Sequence, residues 1–189
     1  MIAGLDEVGR GCLAGAVVAA AVVFESEDSV PEGVDDSKKI AKPRREELAE
    51  LIKEKAMSWA VAEIGPEEID RINILEATKK ARLSAVGNLN PAADFLLIDA
   101  VQLTASPLPQ KSIIKGDSAS ASIAAASIIA KVHRDSVMRE FDLLYPQYGF
   151  AKHVGYGTPD HLEALRVHGP CPIHRITFRG VNQLELGFE

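Results

Sequence analysis

Four acidic residues stand out by what surrounds them. Asp6 and Glu7 are followed at once by Gly9-Arg10-Gly11, Asp99 closes the apolar run Phe95-Leu96-Leu97-Ile98, and Asp117 follows Lys115-Gly116 at the head of an alanine-rich segment. Taken singly, each reads as a turn residue or a helix cap. Taken together, acids at the ends of buried strands lie where an α/β sheet places its chemistry. A cluster of oxygen donors is what a hard divalent cation such as Mg²⁺ requires. Spacing selects among the candidates. Asp135 lies eighteen positions beyond Asp117, roughly 27 Å along a helix, so the two cannot share one ion. Asp6 and Glu7 are adjacent, and neighbouring side chains on a strand point to opposite faces. The sequence therefore predicts a backbone bend there, which Gly9 and Gly11 would permit.

Elements that could position these acids follow from the apolar pattern. Met1 to Phe24 reads as two strands joined by a glycine-rich turn, with Ala16-Val17-Val18 and Val22-Val23-Phe24 supplying β-branched residues. Glu25 to Asp36 is an acidic loop, and Pro43 opens an amphipathic helix bearing Leu48, Leu51 and Ile52. Ser58–Ile64 is a third strand, 67–86 a helix, and Phe95–Ile98 a strand covered on both faces. Lys111–Gly116 is a fifth strand and 118–144 a single long helix. From Gly149 onward the chain is rich in Gly, Pro and His and reads as irregular. This alternation predicts an α/β layer protein.

Composition bounds the rest. With 189 residues, 47% hydrophobic and 25% charged, the chain suits one folded domain and not a disordered one. Its longest apolar run, Cys12–Phe24, is too short for a membrane span and lacks a basic segment before it. Two distant cysteines make no disulfide framework, which points to a reducing, cytoplasmic setting with no membrane. His168, Cys171 and His174 have metal-binding residue types, but Gly169, Pro170 and Pro172 interrupt them, so a structural turn is favoured over zinc. The net charge of −6 argues against nucleic acid as a partner. Set apart the four candidate ligands, however, and the remainder carries −2. Lys38, Lys39, Lys42, Arg44 and Arg45 then form a stretch without an acid.

Asp6-Glu7-Val8-Gly9-Arg10-Gly11 resembles the D-E-x-G-R-G signature of ribonuclease HII, the type 2 ribonuclease H. Further blocks resemble that family in the same order. They are Asp36-Ser37-Lys38-Lys39, Ile72-Asn73-Ile74-Leu75 with Ala77-Thr78, Asp99, Lys115-Gly116-Asp117, Ser122 to Val132 with Arg134-Asp135, Gly155-Tyr156-Gly157-Thr158, and His174-Arg175 with Phe178. Two positions depart from the common pattern: Val154 stands where relatives often have a basic residue, and Ala100 where many have glycine.

The resemblance implies a ribonuclease H-like fold, a five-stranded mixed sheet flanked by helices. It implies a catalytic core over 1–145 and a helical or irregular C-terminal extension over 146–189 that contributes to substrate binding. The implied activity is endonucleolytic cleavage of RNA in RNA–DNA hybrids and on the 5′ side of single ribonucleotides in duplex DNA. Asp6, Glu7, Asp99 and Asp117 would be the catalytic metal ligands, holding Mg²⁺ or Mn²⁺, two ions per site during catalysis. Products would carry a 5′-phosphate and a 3′-hydroxyl. The backbone of Gly9, Arg10 and Gly11 would read the 2′-hydroxyl, Tyr156 would stack by the sugar, and Lys38 would contact phosphate. A monomer is expected. Gln183–Phe188 resembles a sliding-clamp peptide with its spacing off by one, so it reads as a frayed tail. Two other readings are a DNA-only metal nuclease, such as a junction-resolving one, and a hybrid-binding protein without catalysis. The 2′-hydroxyl reader argues against the first and the complete acid set against the second.

Overall fold

In the computed structural model, which describes residues 1–181, β1 (Ile2–Val8), β2 (Val17–Val23) and β3 (Ser58–Ile64) form an antiparallel meander. β4 (Phe95–Asp99) pairs in parallel with β1, and β5 (Gln110–Ile113) in parallel with β4, giving the order β3-β2-β1-β4-β5. The expected five-stranded mixed sheet is thus present. Seven helices accompany it among the described residues: α1 (Lys42–Lys55), α2 (Pro66–Ile72), α3 (Ile74–Gly87), α4 (Gly116–Ala119), α5 (Ala121–Leu144), α6 (Phe150–His153) and α7 (Pro159–His168). No helix among them is long and apolar enough to cross a membrane.

β2 explains the layering. It is buried at every position, and its side chains alternate between two cores. Val18, Ala20 and Val22 pack with Leu48 and Ile52 of α1 and with Ala125 and Ile129 of α5. Val17 and Ala19 pack with Ile69, Ala77 and Ala81, while Ala21 and Val23 join Ala85 and Leu96 on the α3 face. Small residues let α5 lie close to the sheet. A Cβ on Gly4 of β1 would overlap the backbone of Ser122 and Ile123. The α5 face of β1 therefore carries Gly4 and Asp6, and the α3 face carries Ala3, Leu5 and Glu7.

Several predicted elements are divided or shortened. The helix expected over 67–86 breaks at Asn73, which adopts φ 70° and accepts the N–H groups of Leu75 (3.0 Å) and Glu76 (3.2 Å) through Oδ1. Asparagine tolerates that left-handed conformation and caps the new helix. The helix expected over 118–144 breaks at Ser120, whose extended backbone separates α4 from α5. Asp117 consequently sits in a four-residue turn of helix and not at the head of the long one. The fifth strand stops at Ile113, because Lys115 is left-handed (φ 55°). β4 buries Leu96 and Ile98 fully, but Phe95 and Leu97 only partly. The segment beyond Gly149 is more regular than expected and carries α6 and α7. Thr158 caps α7, its Oγ1 accepting the His161 N–H (3.3 Å).

Leu13, Met138, Tyr148, Phe150, Leu165 and Ile173 form the core that joins α6 and α7 to α5 and to the turn after β1. Three imidazoles are buried beside it, those of His153, His161 and His174. The Cys171 N–H donates to His174 Nδ1 (2.9 Å). His174 Nε2 then donates to His161 Nε2 (3.0 Å), and His161 Nδ1 to the Tyr156 carbonyl (2.8 Å). One set of neutral tautomers satisfies every link. A proton added to His161 Nε2 would set two N–H groups against each other. Burial, followed by the neighbouring His161, pushes the His174 pKa down to about 4, and burial likewise lowers that of His161. His153, Tyr148 and Cys171 surround the pair without supplying a carboxylate. A histidine held below its unfolded value of about 6.5 contributes stability that is lost as pH falls from there toward 4. Histidine NMR titration should find the His174 ring still neutral at pH 5.5 and the His161 ring titrating below 6.5. Titration of both rings near 6.5 would contradict this.

Candidate functional site

The β1–β4 ladder brings two acids together. Its last paired residues are Leu5 and Ile98, so Asp6 and Asp99 follow side by side at the strand ends. Asp6 is buried on the α5 face, near Ser127, and Ser127 Oγ hydrogen-bonds Ser37 Oγ (2.9 Å). Asp99 Oδ1 accepts the Gly116 N–H (2.8 Å), which draws α4 and its Asp117 to the end of β4. A side chain at Gly116 would crowd Ile123 and the Asp99 carboxylate. The bend expected at Asp6-Glu7 is absent. β1 stays in register with β2 through Val8, so the two carboxylates leave opposite faces of the strand. Both nevertheless border one pocket of about 200 Å³, together with Asp99, Asp117, Lys38, Lys131 and Tyr156.

Electrostatics within this pocket are unbalanced. The Asp6 carboxyl is pushed up to about 7, first by burial and then by the charge of Glu7, with a smaller contribution from Asp99. Among the described residues, Glu7 is the one acid of the four with a buried counter-charge. Arg82 of α3, 1% exposed, grips its Oε2 through Nε (2.8 Å) and Nη2. The same guanidinium donates to the carbonyls of Asp99 (2.9 Å) and Val101 (3.0 Å). Four carboxylates and few fixed cations make a donor set that fits a hard divalent ion. Among the described residues, no three carboxylate, histidine or cysteine groups already stand as a closed metal cluster. Glu7 is engaged by Arg82 and Asp99 by Gly116.

A second layer holds the turn after β1. Arg175, fully buried, donates to the carbonyls of Gly9 (2.7 Å), Arg10 (3.0 Å) and Gly15 (3.0 Å). Arg134 of α5, 1% exposed, donates to those of Ala14 (2.9 Å), Ala16 (3.0 Å) and Val154 (2.7 Å). Gly9 has φ +91°, and a Cβ there would overlap the Arg134 guanidinium. Tyr156 is 41% exposed; burial of its hydroxyl and the adjacent Cys12 raise its pKa.

The family model for ribonuclease HII matches residues 3–181. The chain belongs to the ribonuclease HII family. The ribonuclease HII of Acetivibrio thermocellus is 54% identical over 178 residues, covering 94% of this chain and 69% of that protein. Among solved structures, the ribonuclease H2 of Pyrococcus horikoshii OT3 superposes with a TM-score of 0.83 at 26% identity, covering 98% of this chain and 97% of that one. Ribonuclease HII of Archaeoglobus fulgidus, solved in complex with PCNA, gives 0.82 at 28% identity, covering 100% and 98%. The protein is accordingly a nuclease, of a family that depends on metal ions.

Every residue expected at the ribonuclease HII site lies in this region. Asp6, Glu7, Asp99, Asp117, Lys38 and Tyr156 border the pocket, and Gly9, Arg10 and Gly11 form the turn on Arg175. Asp135 stands apart, as its spacing required, and accepts from Lys131 (2.7 Å), which reaches the pocket rim. The sliding-clamp resemblance at Gln183–Phe188 lies outside the described residues. Sequence reasoning gave no role to Arg82, Arg134, Arg175, Ser127 or Lys131. Arg134 and Arg175 fall in family-like blocks, which was a signal of position but not of task. Ala100, where the family often has glycine, adopts φ 57°, a glycine-like conformation.

Arg82→Met should cost about 3–5 kcal/mol in urea unfolding, because it strands the Glu7 carboxylate in the interior. Glu7→Gln in the Arg82→Met background should recover part of that loss. Strictly additive effects would show that the two side chains do not depend on each other.

Proposed function

We propose that this chain hydrolyses the RNA strand of RNA–DNA hybrids and cuts on the 5′ side of single ribonucleotides within duplex DNA, leaving 5′-phosphate and 3′-hydroxyl ends. One observation carries the reading: Tyr156, whose hydroxyl lies near Cys12 just after the Gly9–Gly11 turn, borders the same pocket as all four acids. A ribose-reading surface and a cation-binding surface therefore address the same nucleotide. The 2′-hydroxyl is what distinguishes RNA from DNA at such a site.

Asp6, Glu7, Asp99 and Asp117 would hold two Mg²⁺ or Mn²⁺ ions. When bound, such a pair supplies Lewis acidity to the scissile phosphate, an activated water and charge stabilisation for the leaving oxygen. The protein's own groups orient the substrate. The backbone of Gly9, Arg10 and Gly11 approaches the ribose, the Tyr156 ring stacks by the sugar, and Lys38 on the pocket rim meets phosphate. Residues 146–189 would contribute to substrate binding as an extension of a 1–145 core. Support comes from the packing of Tyr148, Phe150 and Ile173 onto Leu13, next to the turn. Cys12 and Cys171 are free and buried, in keeping with a reducing cytoplasm, and the working unit would be a monomer.

An assay with Mg²⁺ or Mn²⁺ and a duplex bearing one ribonucleotide tests this reading. Cleavage should occur 5′ to the ribonucleotide and be absent from all-DNA duplex. Asp6→Asn and Asp99→Asn should abolish turnover and leave the fold intact. Tyr156→Ala should lose activity mainly on the single-ribonucleotide substrate. Cutting of all-DNA junctions, or near wild-type turnover in Asp6→Asn, would contradict the reading.

A further inference from the structure

The turn that follows β1 rests on a buried cation, Arg175, that makes no ion pair among the described residues. All hydrogen bonds of Arg175 among the described residues end on backbone carbonyls, those of Gly9, Arg10 and Gly15. Peptide geometry gives this a consequence. In a trans peptide the C=O and N–H point in opposite directions. The Gly9 carbonyl shares its peptide with the Arg10 N–H, and the Arg10 carbonyl with the Gly11 N–H. Pinning both carbonyls inward on one guanidinium turns both N–H groups outward. Neither N–H donates to another backbone group among the described residues, and both residues are exposed. Two adjacent donors, fixed in direction above a buried positive charge, suit an oxygen acceptor on an anionic strand.

We propose that Arg175 is the positioning residue for ribose recognition: its planar fork aims the Arg10 and Gly11 N–H groups at the ribose 2′-oxygen, and its charge, held by carbonyls and not in an ion pair, favours the adjoining phosphate. This rests on the reading of the turn as the ribose reader. Fork and charge are separable. Lysine keeps the charge but cannot span the three carbonyls. Arg134 supplies the control. It is equally buried and also holds three carbonyls, but those belong to Ala14, Ala16 and Val154 and not to the two peptides that matter.

The test compares wild type, Arg175→Lys and Arg134→Lys by fluorescence anisotropy in EDTA, so that no strand is cut. Labelled duplexes of one sequence are used, all-DNA or with a single ribonucleotide. Wild type should prefer the ribonucleotide duplex by about tenfold, as two hydrogen bonds to the 2′-oxygen would give. Arg175→Lys should lose that preference while binding all-DNA duplex within about threefold of wild type. Arg134→Lys should keep the preference. A wild type without preference would refute the ribose-reading turn itself. Preference retained in Arg175→Lys, or equal loss on both duplexes, would overturn the role given to Arg175. If Arg175→Lys melts below assay temperature, the wild-type amide NMR spectrum decides. The Arg10 and Gly11 resonances should move with the ribonucleotide duplex and not with all-DNA duplex, and unmoved resonances would overturn the proposal.

Discussion

β1 and β4 run in parallel from the Ile2–Phe95 pair to the Leu5–Ile98 pair, and the acidic pocket hangs from the place where that ladder stops. The next residue on each strand is an aspartate. A slip of one residue in β1 would turn Asp6 to the α3 face and Glu7 to the α5 face. Register is held by what each face buries. Leu5 must enter the α3-side core, and Gly4 must lie under the backbone at the start of α5, where no other residue fits. The chemistry thus inherits its geometry from apolar packing two residues away. Asp117 joins by a different route, through the hydrogen bond from Gly116 to Asp99.

Three buried arginines do for the loops what ladders do for the strands. Arg82 ties Glu7 to the backbone after β4, Arg134 ties α5 to the turn and to Val154, and Arg175 ties the chain after α7 back to Gly9. Each guanidinium offers several donors in a fixed plane and so holds several loop carbonyls at once. The charge balance follows the same logic. The chain is acidic overall, yet four of its acids line one pocket while Lys38 and Lys131 stand at the rim. Net charge was a poor guide to the partner because it averages over that separation.

The sheet was legible because its signal is apolar and local. Val17-Val18 and Val22-Val23 announce β2, and Phe95–Ile98 announces β4. The carboxylates were legible because each ends a strand or follows a glycine. The breaks at Asn73 and Ser120 were not, since neither residue forbids a helix and the Asn73 cap shows only once the second helix is known to restart there. The bend expected at Asp6-Glu7 came from assuming that both acids must leave one face. The strand instead stays straight, and Arg82 receives Glu7 on the far face. Buried arginines escape pattern reading altogether, because arginine is ordinarily a surface residue and the carbonyls it seeks carry no sequence signature.

The central claim is that the end of the β1–β4 ladder is a cation site built from Asp6, Glu7, Asp99 and Asp117. Anomalous diffraction at the manganese edge from crystals soaked in Mn²⁺ tests it without recourse to activity. The account predicts manganese in the pocket between Asp6, Asp99 and Asp117, lost in crystals of Asp99→Asn. Manganese bound elsewhere on the protein, with that pocket empty at saturating Mn²⁺, would contradict it.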